Sequence, residues 1–461
     1  MTQSPKLTGH LAAFEPTIDA TRAKREELYK WLHQHPELAM QEVETSKRIA
    51  EELTAIGFEV TPVGKTGQVG VMENGDGPTL CFRADFDALP IAENTGLDYS
   101  ADPSLGRMHA CGHDMHTAAL LGAAEVLAKH RDAWSGTFIA LFQPGEETGA
   151  GAKDMKDSGL AETIQTPDVV LGQHVGTMMD GYGVGALSGP VLATCVQTKI
   201  TIYGSGSHGS MPHTGIDPVV IAAKVILSLQ TIISRGVDPQ EMAVLTVGAI
   251  HGGDSPNTIP DSVELKVSTR TYTEAMSEKI NADIKRIVRG ECEIAGCERE
   301  PEFEIVGAAP EFWNDEDTTE TVMAAFTEQF GDQARDFGRL SGSEDFPTIA
   351  NAWGVPYFYW VVGSNADPNA PYNHSPQVRA RPRSGAGSVH PRDHSRHLPV
   401  ADAGLRRYFK AHARSRERRT RSSPNPAATR PPDRPGPRAR HRAFGHRPGE
   451  RHPGLGDQRL V

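Results

Sequence analysis

The segment MHACGHDMHT, residues 108–117, packs one cysteine and three histidines into ten positions. Thiolate sulfur and neutral imidazole nitrogen suit transition metals, so the segment reads as part of a metal site, with a solvated histidine-rich turn as the plain alternative. QPGEETG, residues 143–149, sets Glu146 and Glu147 side by side directly after an apolar run. Neighbouring carboxylates in a loop can enter one site from different angles. One can then bind a metal while the other stays free to act as a base; a charged turn is the alternative. GQHVG and PYNHSP add His174 and His374, each just past an apolar run. Either histidine alone would pass for a loop residue. Four such segments are expected to meet, because sites in α/β sheets assemble at the carboxyl ends of strands.

One motif misleads. GSGSHG, residues 204–209, matches G-x-G-x-x-G after TKITIY and suggests a dinucleotide fingerprint. The following helix is expected to start only at Asp217-Pro218, an N-cap followed by the proline favoured at the first helical position. The glycines therefore do not open the helix, and no cofactor phosphate would be cradled. His208 and His213 read, on this ground alone, as exposed-loop residues.

The elements that must position these residues follow from hydrophobic periodicity. From about Ile18 to Leu53, apolar residues three and four apart predict two amphipathic helices flanking HQHPEL. Short apolar runs ended by Gly or Asp, in GQVGVM, TLCFRADFDAL, TFIALFQPGEE and DVVLGQHV, predict strands, with a helix over HTAALLGAAEVLAKH between them. Strands alternating with helices imply an α/β fold, a catalytic domain whose largely parallel sheet is flanked by helices. Around Val191 the texture changes to the alternation of antiparallel strands, in QTKITIYG, EMAVLTVGAIHGG and VELKVSTRTY, enclosing two helices. The chain then divides into residues 1–187, the first part of the catalytic domain; 188–304, an inserted α+β lid; 305–376, the catalytic return; and 377–461, an Arg/Pro-rich tail.

The net charge of −12 hides a split, since 21 basic and 6 acidic side chains follow Gln377 and leave the preceding residues at about −27. So acidic a body argues against a nucleic-acid enzyme, because phosphate binding needs a basic surface. The sequence reads without a signal-peptide run or a bilayer-length apolar stretch, and its five scattered cysteines do not look like a disulfide framework. A cytoplasmic protein without a membrane role is expected. Cys292 and Cys297 read as ordinary thiols rather than as a metal pair.

HQHPEL, FRADFDALPI, MHACGHDMHTAALLGAA, LFQPGEE, GQHV, GSGSHGSMPHTGIDP, PNTIPD, SGSEDF and NHSP occur in this order. With them the chain resembles, over about residues 25–376, the metal-dependent aminoacylase, carboxypeptidase and hippurate hydrolase family. The likeness is to its branch of N-acyl amino acid amidohydrolases, which also holds the auxin-conjugate hydrolases. The resemblance implies two divalent ions, Zn or Mn with Co or Ni as alternatives. Cys111 and Glu147 would lie at or between them, with His113, His174 and His374 completing the shells. Glu146 would be the general base for a metal-activated water, and Asp85 and Asp87 would orient ligands without being ligands themselves. A histidine matching His208 would reach from the lid of a neighbouring subunit toward the developing oxyanion, so a homodimer or higher homo-oligomer through the lid is implied. Asn257 and Arg270 are candidates for holding the substrate carboxylate, Arg because its fork matches a carboxylate bidentately.

The expected substrates are small N-acyl amino acids: hippurate, N-acetyl amino acids or indole-acyl conjugates. The alternatives are a dipeptidase or biosynthetic N-acyl deacylase with the same metals, or a catalytically dead relative that binds small molecules. After NHSP the chain departs from the family pattern. Its Arg, Pro, Ala, Gly and His are the residues of GC-rich codons, as expected of a GC-rich gene read in a shifted frame. A genuine basic tail that binds nucleic acid, a membrane surface or the acidic body is the rival reading.

Overall fold

The computed structural model describes residues 9–176, 183–364 and 369–378; the tail reading falls, from residue 379 on, outside them. Helices α1 (Glu15–Gln34) and α2 (Val43–Ala55) precede strands β1 (Glu59–Val63), β2 (Gly67–Asn74) and β3 (Thr79–Asp85). Helix α3 (His113–Lys129) leads to β4 (Gly136–Gln143), α4 (Gly151–Asp157), α5 (Leu160–Thr163) and β5 (Val169–Gly176). After β6 (Val184–Gly185) and β7 (Gly189–Leu192) come β8 (Thr194–Tyr203), β9 (Ser207–His208), α6 (Pro218–Gly236), β10 (Ala243–His251) and β11 (Thr258–Ile259). Strand β12 (Ser262–Thr271), α7 (Glu274–Ala295) and β13 (Glu302–Ala309) follow. The chain ends, within the described residues, through β14 (Phe312–Asn314), α8 (Glu316–Phe330), β15 (Ala334–Arg335), α9 (Pro347–Trp353) and β16 (Tyr357–Gly363).

The large sheet runs in the order β1-β2-β4-β3-β5-β16-β6-β15. Its centre, β4-β3-β5-β16, is parallel, whereas β1, β2 and β4 pair antiparallel with one another, and β6 is antiparallel to β16. The sheet is thus mixed and mostly parallel as expected, since β15 at the far edge also runs parallel to β6. The short link between β1 and β2 forces the antiparallel edge, since only antiparallel neighbours can be joined by a tight turn.

Strand alternation sends side chains to two cores. Phe138, Ala140 and Phe142 of β4, with Phe358 and Trp360 of β16, meet Leu32, Leu53, Leu121 and Phe326 from α1, α2, α3 and α8. Ile139, Leu141, Tyr357 and Tyr359 face Met155, Leu160 and Ile349 from α4, α5 and α9. Both faces are covered, which is why these strands read as unbroken apolar runs.

The second sheet, β10-β12-β8-β13, is antiparallel throughout. Val263, Leu265 and Val267 of β12 pack against Ile221, Val225 and Leu229 of α6 and Ile280, Ile284 and Val288 of α7. Alternation therefore turns Arg270 to the opposite face. Strand β13 stays paired with β8 as far as Ala309 opposite Cys195, so it runs across residue 304. Asp217 caps α6, accepting the N–H groups of Val219 and Val220. At a mean hydropathy of 1.5, this helix is long and apolar enough by length and composition to cross a membrane, contrary to the sequence reading. Its apolar content has another use here, because one face packs on the sheet and on α7.

Candidate metal centre

The parallel strands end around one cluster of side chains. Strand β3 delivers Asp85 and then Asp87, β4 delivers Glu146 and Glu147, β5 carries His174, and the segment after β16 carries His374. Cys111 and His113 arrive on the loop that opens α3. Between them Gly112 adopts φ 91°, and a Cβ there would lie 2.5 Å from Val175 Cγ2, so only glycine lets the loop turn against β5.

Cys111 Sγ lies 3.3 Å from His174 Nε2 and 3.3 Å from His374 Nε2. His374 Nε2 lies 3.4 Å from Glu147 Oε2. His113 Nε2 points at the same space, 3.9 Å from Glu146 Oε2 and 4.0 Å from Glu147 Oε1. Ligand atoms of Cys111, His113 and His174, of Cys111, Glu147 and His374, and of His113, Glu146 and Glu147 form three groups, each within 4.8 Å. The structure thus brings together all five candidate ligands and the candidate base.

Hydrogen bonding decides which atoms face the centre. His113 Nδ1 donates to Asp87, whose carbonyl oxygen lies at 3.0 Å and Oδ1 at 3.1 Å, so its Nε2 carries a lone pair. That Nε2 and Glu147 Oε1 are buried and have no hydrogen-bond partner. Two orphaned acceptors facing a thiol and two further imidazoles fit divalent cations, which supply the charge that buried acceptors otherwise lack. Electrostatics agree. Burial opposes a proton on His113, yet Asp85 and Cys111 outweigh it and lift its pKa well above the usual range, so these surroundings favour positive charge at Nε2, which a bound cation would supply in place of a proton. Burial pushes Glu147 up to about 7, with His113 opposing and Asp87 adding to the rise. Burial and the nearby Glu344 and Asp345 carboxylates push Glu146 well above its ordinary value.

His116 has another role. Its Nε2 accepts the Val175 N–H at 2.8 Å, which places the proton on Nδ1, and Nδ1 donates to Asp85 Oδ1 at 2.5 Å. The other oxygen of Asp85 accepts from Arg83 at 2.6 Å. Both groups are spent on hydrogen bonds and orient the centre. Arg83, fully buried, also donates to Gln143, Glu344 and Asp345 at 2.8, 2.8 and 3.2 Å. Asn373 Nδ2 ties the carbonyls of Cys111 and Val175 at 3.1 and 3.2 Å, fixing the turn before His374. Sequence reasoning gave no role to Arg83, Glu344, Asp345, His116 or Asn373; the adjacent acids of SGSEDF were the available signal.

A cavity of about 860 Å³ opens beside Glu146 and runs beneath the second sheet, lined by Cys111, His174, Val306, Leu340, Tyr372 and Arg270 among others. Arg270 donates to Ser341 O and Ser343 Oγ, both at 2.9 Å. The other two sequence candidates stand apart. His208 and Asn257 are exposed, 3.4 Å from each other across the β9–β11 pair, and do not line this cavity.

Clustered ligands at the carboxyl ends of parallel strands, with a further carboxylate at the mouth of a cavity, are the layout of a metal-dependent hydrolase. The chain belongs to Peptidase family M20/M25/M40, whose family model matches residues 81–384. It is 43% identical over 251 residues to N-acetyl-L-cysteine deacetylase of Bacillus subtilis, covering 54% of this chain and 59% of that protein. It is 39% identical over 292 residues to an IAA-amino acid hydrolase of Arabidopsis thaliana, covering 61% and 66%. The match to hippurate hydrolase of Campylobacter jejuni is 35% over 335 residues, covering 72% and 86%. The chain thus spans less than two thirds of the first two relatives and most of the third. The crystal structure of a dinuclear metal binding peptidase of the M20 family from Bacillus subtilis superposes with a TM-score of 0.68 at 27% identity, over 85% of this chain and 99% of that one.

Proposed function

We propose that the chain is a two-metal amidohydrolase that cleaves the amide bond of small N-acyl amino acids, the class to which hippurate, N-acetyl and indole-acyl amino acids belong. The observation that carries this reading is the cage of Cys111, His113, Glu147, His174 and His374, with two orphaned acceptors, opening beside Glu146 onto a cavity that also holds Arg270. The names of the three relatives point to the same bond. Divalent ions bound there, Zn or Mn with Co or Ni as alternatives, would polarise the amide carbonyl and make a water nucleophilic at neutral pH. Glu146 takes the proton of the attacking water and passes it to the leaving nitrogen. Asp87 holds His113 in the tautomer that presents Nε2. Arg270 receives the substrate carboxylate, and apolar side chains such as Val306, Leu340 and Tyr372 accept the acyl group.

His208 lies off the cavity of its own chain, which supports the reading that a neighbouring subunit's lid supplies it. The lid has a surface suited to that assembly. Strand β10 is a sheet edge that exposes Val244 and Ile250, and α6 beside it exposes Val220 and Leu227. The five free thiols support a cytoplasmic setting.

The test is release of free amino acid from a panel of N-acyl amino acids by the purified full chain, with added Mn or Zn, with chelator, and with Glu146→Gln. Release that chelator and the variant both abolish is expected. A soluble, metal-loaded protein that releases nothing across the panel would sink the reading.

A further inference from the structure

Among the described residues, two non-glycine positions hold a left-handed backbone, His374 at φ 69° and Met40 at φ 62°. Such conformations are unfavourable and persist where the surroundings over-determine them, commonly at functional sites. His374 is a candidate ligand. Met40 offers no ligand to the centre, and lies on the loop between α1 and α2, so its backbone needs another explanation.

Glu42 supplies one. It is fully buried, and its Oε1 accepts the Met40 N–H at 2.8 Å and the Gly145 N–H at 2.9 Å, while Oε2 accepts the Thr66 hydroxyl at 2.9 Å. Gly145 is itself left-handed at φ 55°, and a Cβ added there would lie 2.7 Å from Met40 Sδ, so the Met40 side chain closes over the turn. Two residues on, the Glu147 N–H donates to Asp87 Oδ2 at 3.0 Å. The turn Gly145-Glu146-Glu147 is therefore pinned at both ends by carboxylates from other parts of the chain, with Glu146 between the pins.

We propose that Glu42 is a positioning residue that fixes the turn from which Glu146 and Glu147 project, an inference that rests on the reaction assigned above. Glu42 reaches neither substrate nor metal; it acts through the Gly145 amide. The requirement is geometric. One oxygen at this reach must accept two amides, which glutamine also provides, its amide nitrogen donating to Thr66. Aspartate, shorter by about 1.5 Å, falls short of Gly145.

The experiment measures Mn affinity by calorimetry and steady-state kinetics on an N-acyl amino acid for the full chain and for Glu42→Ala, Glu42→Asp and Glu42→Gln. Misplaced supports of a metal ligand cost roughly tenfold to a hundredfold in affinity or activity. Glu42→Ala and Glu42→Asp are expected to bind Mn at least ~10-fold more weakly and to lose about 100-fold in kcat per loaded site, with KM within about threefold. Glu42→Gln is expected to restore both. Wild-type Mn affinity in Glu42→Asp, or a Glu42→Gln as impaired as Glu42→Asp, would overturn the inference, and that comparison decides even where Glu42→Ala fails to fold. If the wild-type chain hydrolyses nothing on the panel, the assigned reaction falls, and the Mn affinities still decide the role of Glu42.

Discussion

His33 and Asp114, 81 residues apart, meet at 2.6 Å through His33 Nδ1, while the other ring nitrogen lies 3.1 Å from Glu93 Oε1. This clamp joins α1 to the start of α3, next to His113. Burial works against its charge, but the hydrogen bonds to Asp114 and Glu93 prevail and raise the His33 pKa to about 10. A folded pKa above the unfolded value of about 6.5 gives stability that is fully present below about 6.5 and lost as pH rises through about 10. Stability should therefore decline between those limits, and His33→Gln should flatten the decline while costing about 3 kcal/mol at its lower end. Urea unfolding of both proteins across that range checks this.

Arg83 forms ion pairs with Asp85, Glu344 and Asp345, all buried. Arg83→Met should destabilise by about 3–5 kcal/mol because it strands buried carboxylates, and adding Asp345→Asn should recover part of the loss. Calorimetric melting of the single and double variants measures both effects.

Glu146 and Glu147 are neighbours with different expected roles, and metal analysis separates them. Glu146→Gln should keep its metal while turnover falls by about 10²–10⁴-fold. Cys111→Ala should instead lose metal, as counted by plasma emission on dialysed protein; full occupancy in that variant would remove Cys111 as a ligand.

Arg270 stands in the cavity on the face of β12 turned away from α6 and α7. Arg270→Ala should raise KM for N-acyl amino acids by about tenfold or more, and Arg270→Lys should recover little, since an ammonium lacks the paired donors. Substrates whose carboxylate is amidated should be indifferent to either change.

Ile250 of the edge strand β10, paired with Leu265 on the face that packs on α6, and Leu227 of α6 are both exposed. Ile250→Asp with Leu227→Asp should convert the proposed dimer to monomer in sedimentation and lower turnover in parallel. A monodisperse, fully active monomer would argue against His208 acting from a partner.

Much of this was legible because buried strands and metal ligands have strong residue signatures. The runs at Thr79–Asp85, Gly136–Gln143 and Val169–Gly176 are buried on nearly every side chain and therefore largely apolar, and Cys, His and paired Glu just beyond such runs are metal-binding residue types. What stayed hidden depends on partners distant in sequence. His116 has the same residue type and neighbourhood as His113, and only its bonds to Asp85 and Val175 show that it positions rather than faces the centre. Arg83 and the Glu344–Asp345 pair look like surface charge until β3 and the loop before α9 are brought together. His208 and Asn257 carried the right chemistry, but their place on the β9–β11 pair leaves them outside the cavity. The antiparallel edge of the large sheet was missed because short strands read alike whichever way they run.

Strand β16 is inserted between β5 and β6, although more than 170 residues of chain separate it from β5. His374 follows it, so a ribosome must translate the whole inserted sheet and its helices before the last proposed ligand emerges. A nascent chain can gather Cys111, His113, Glu147 and His174 early, but the fifth wall of the cage awaits this late wedge. The proposed hydrolytic competence thereby waits on synthesis past residue 374, and any product halted between residues 174 and 374 would bear four proposed ligands and an open flank.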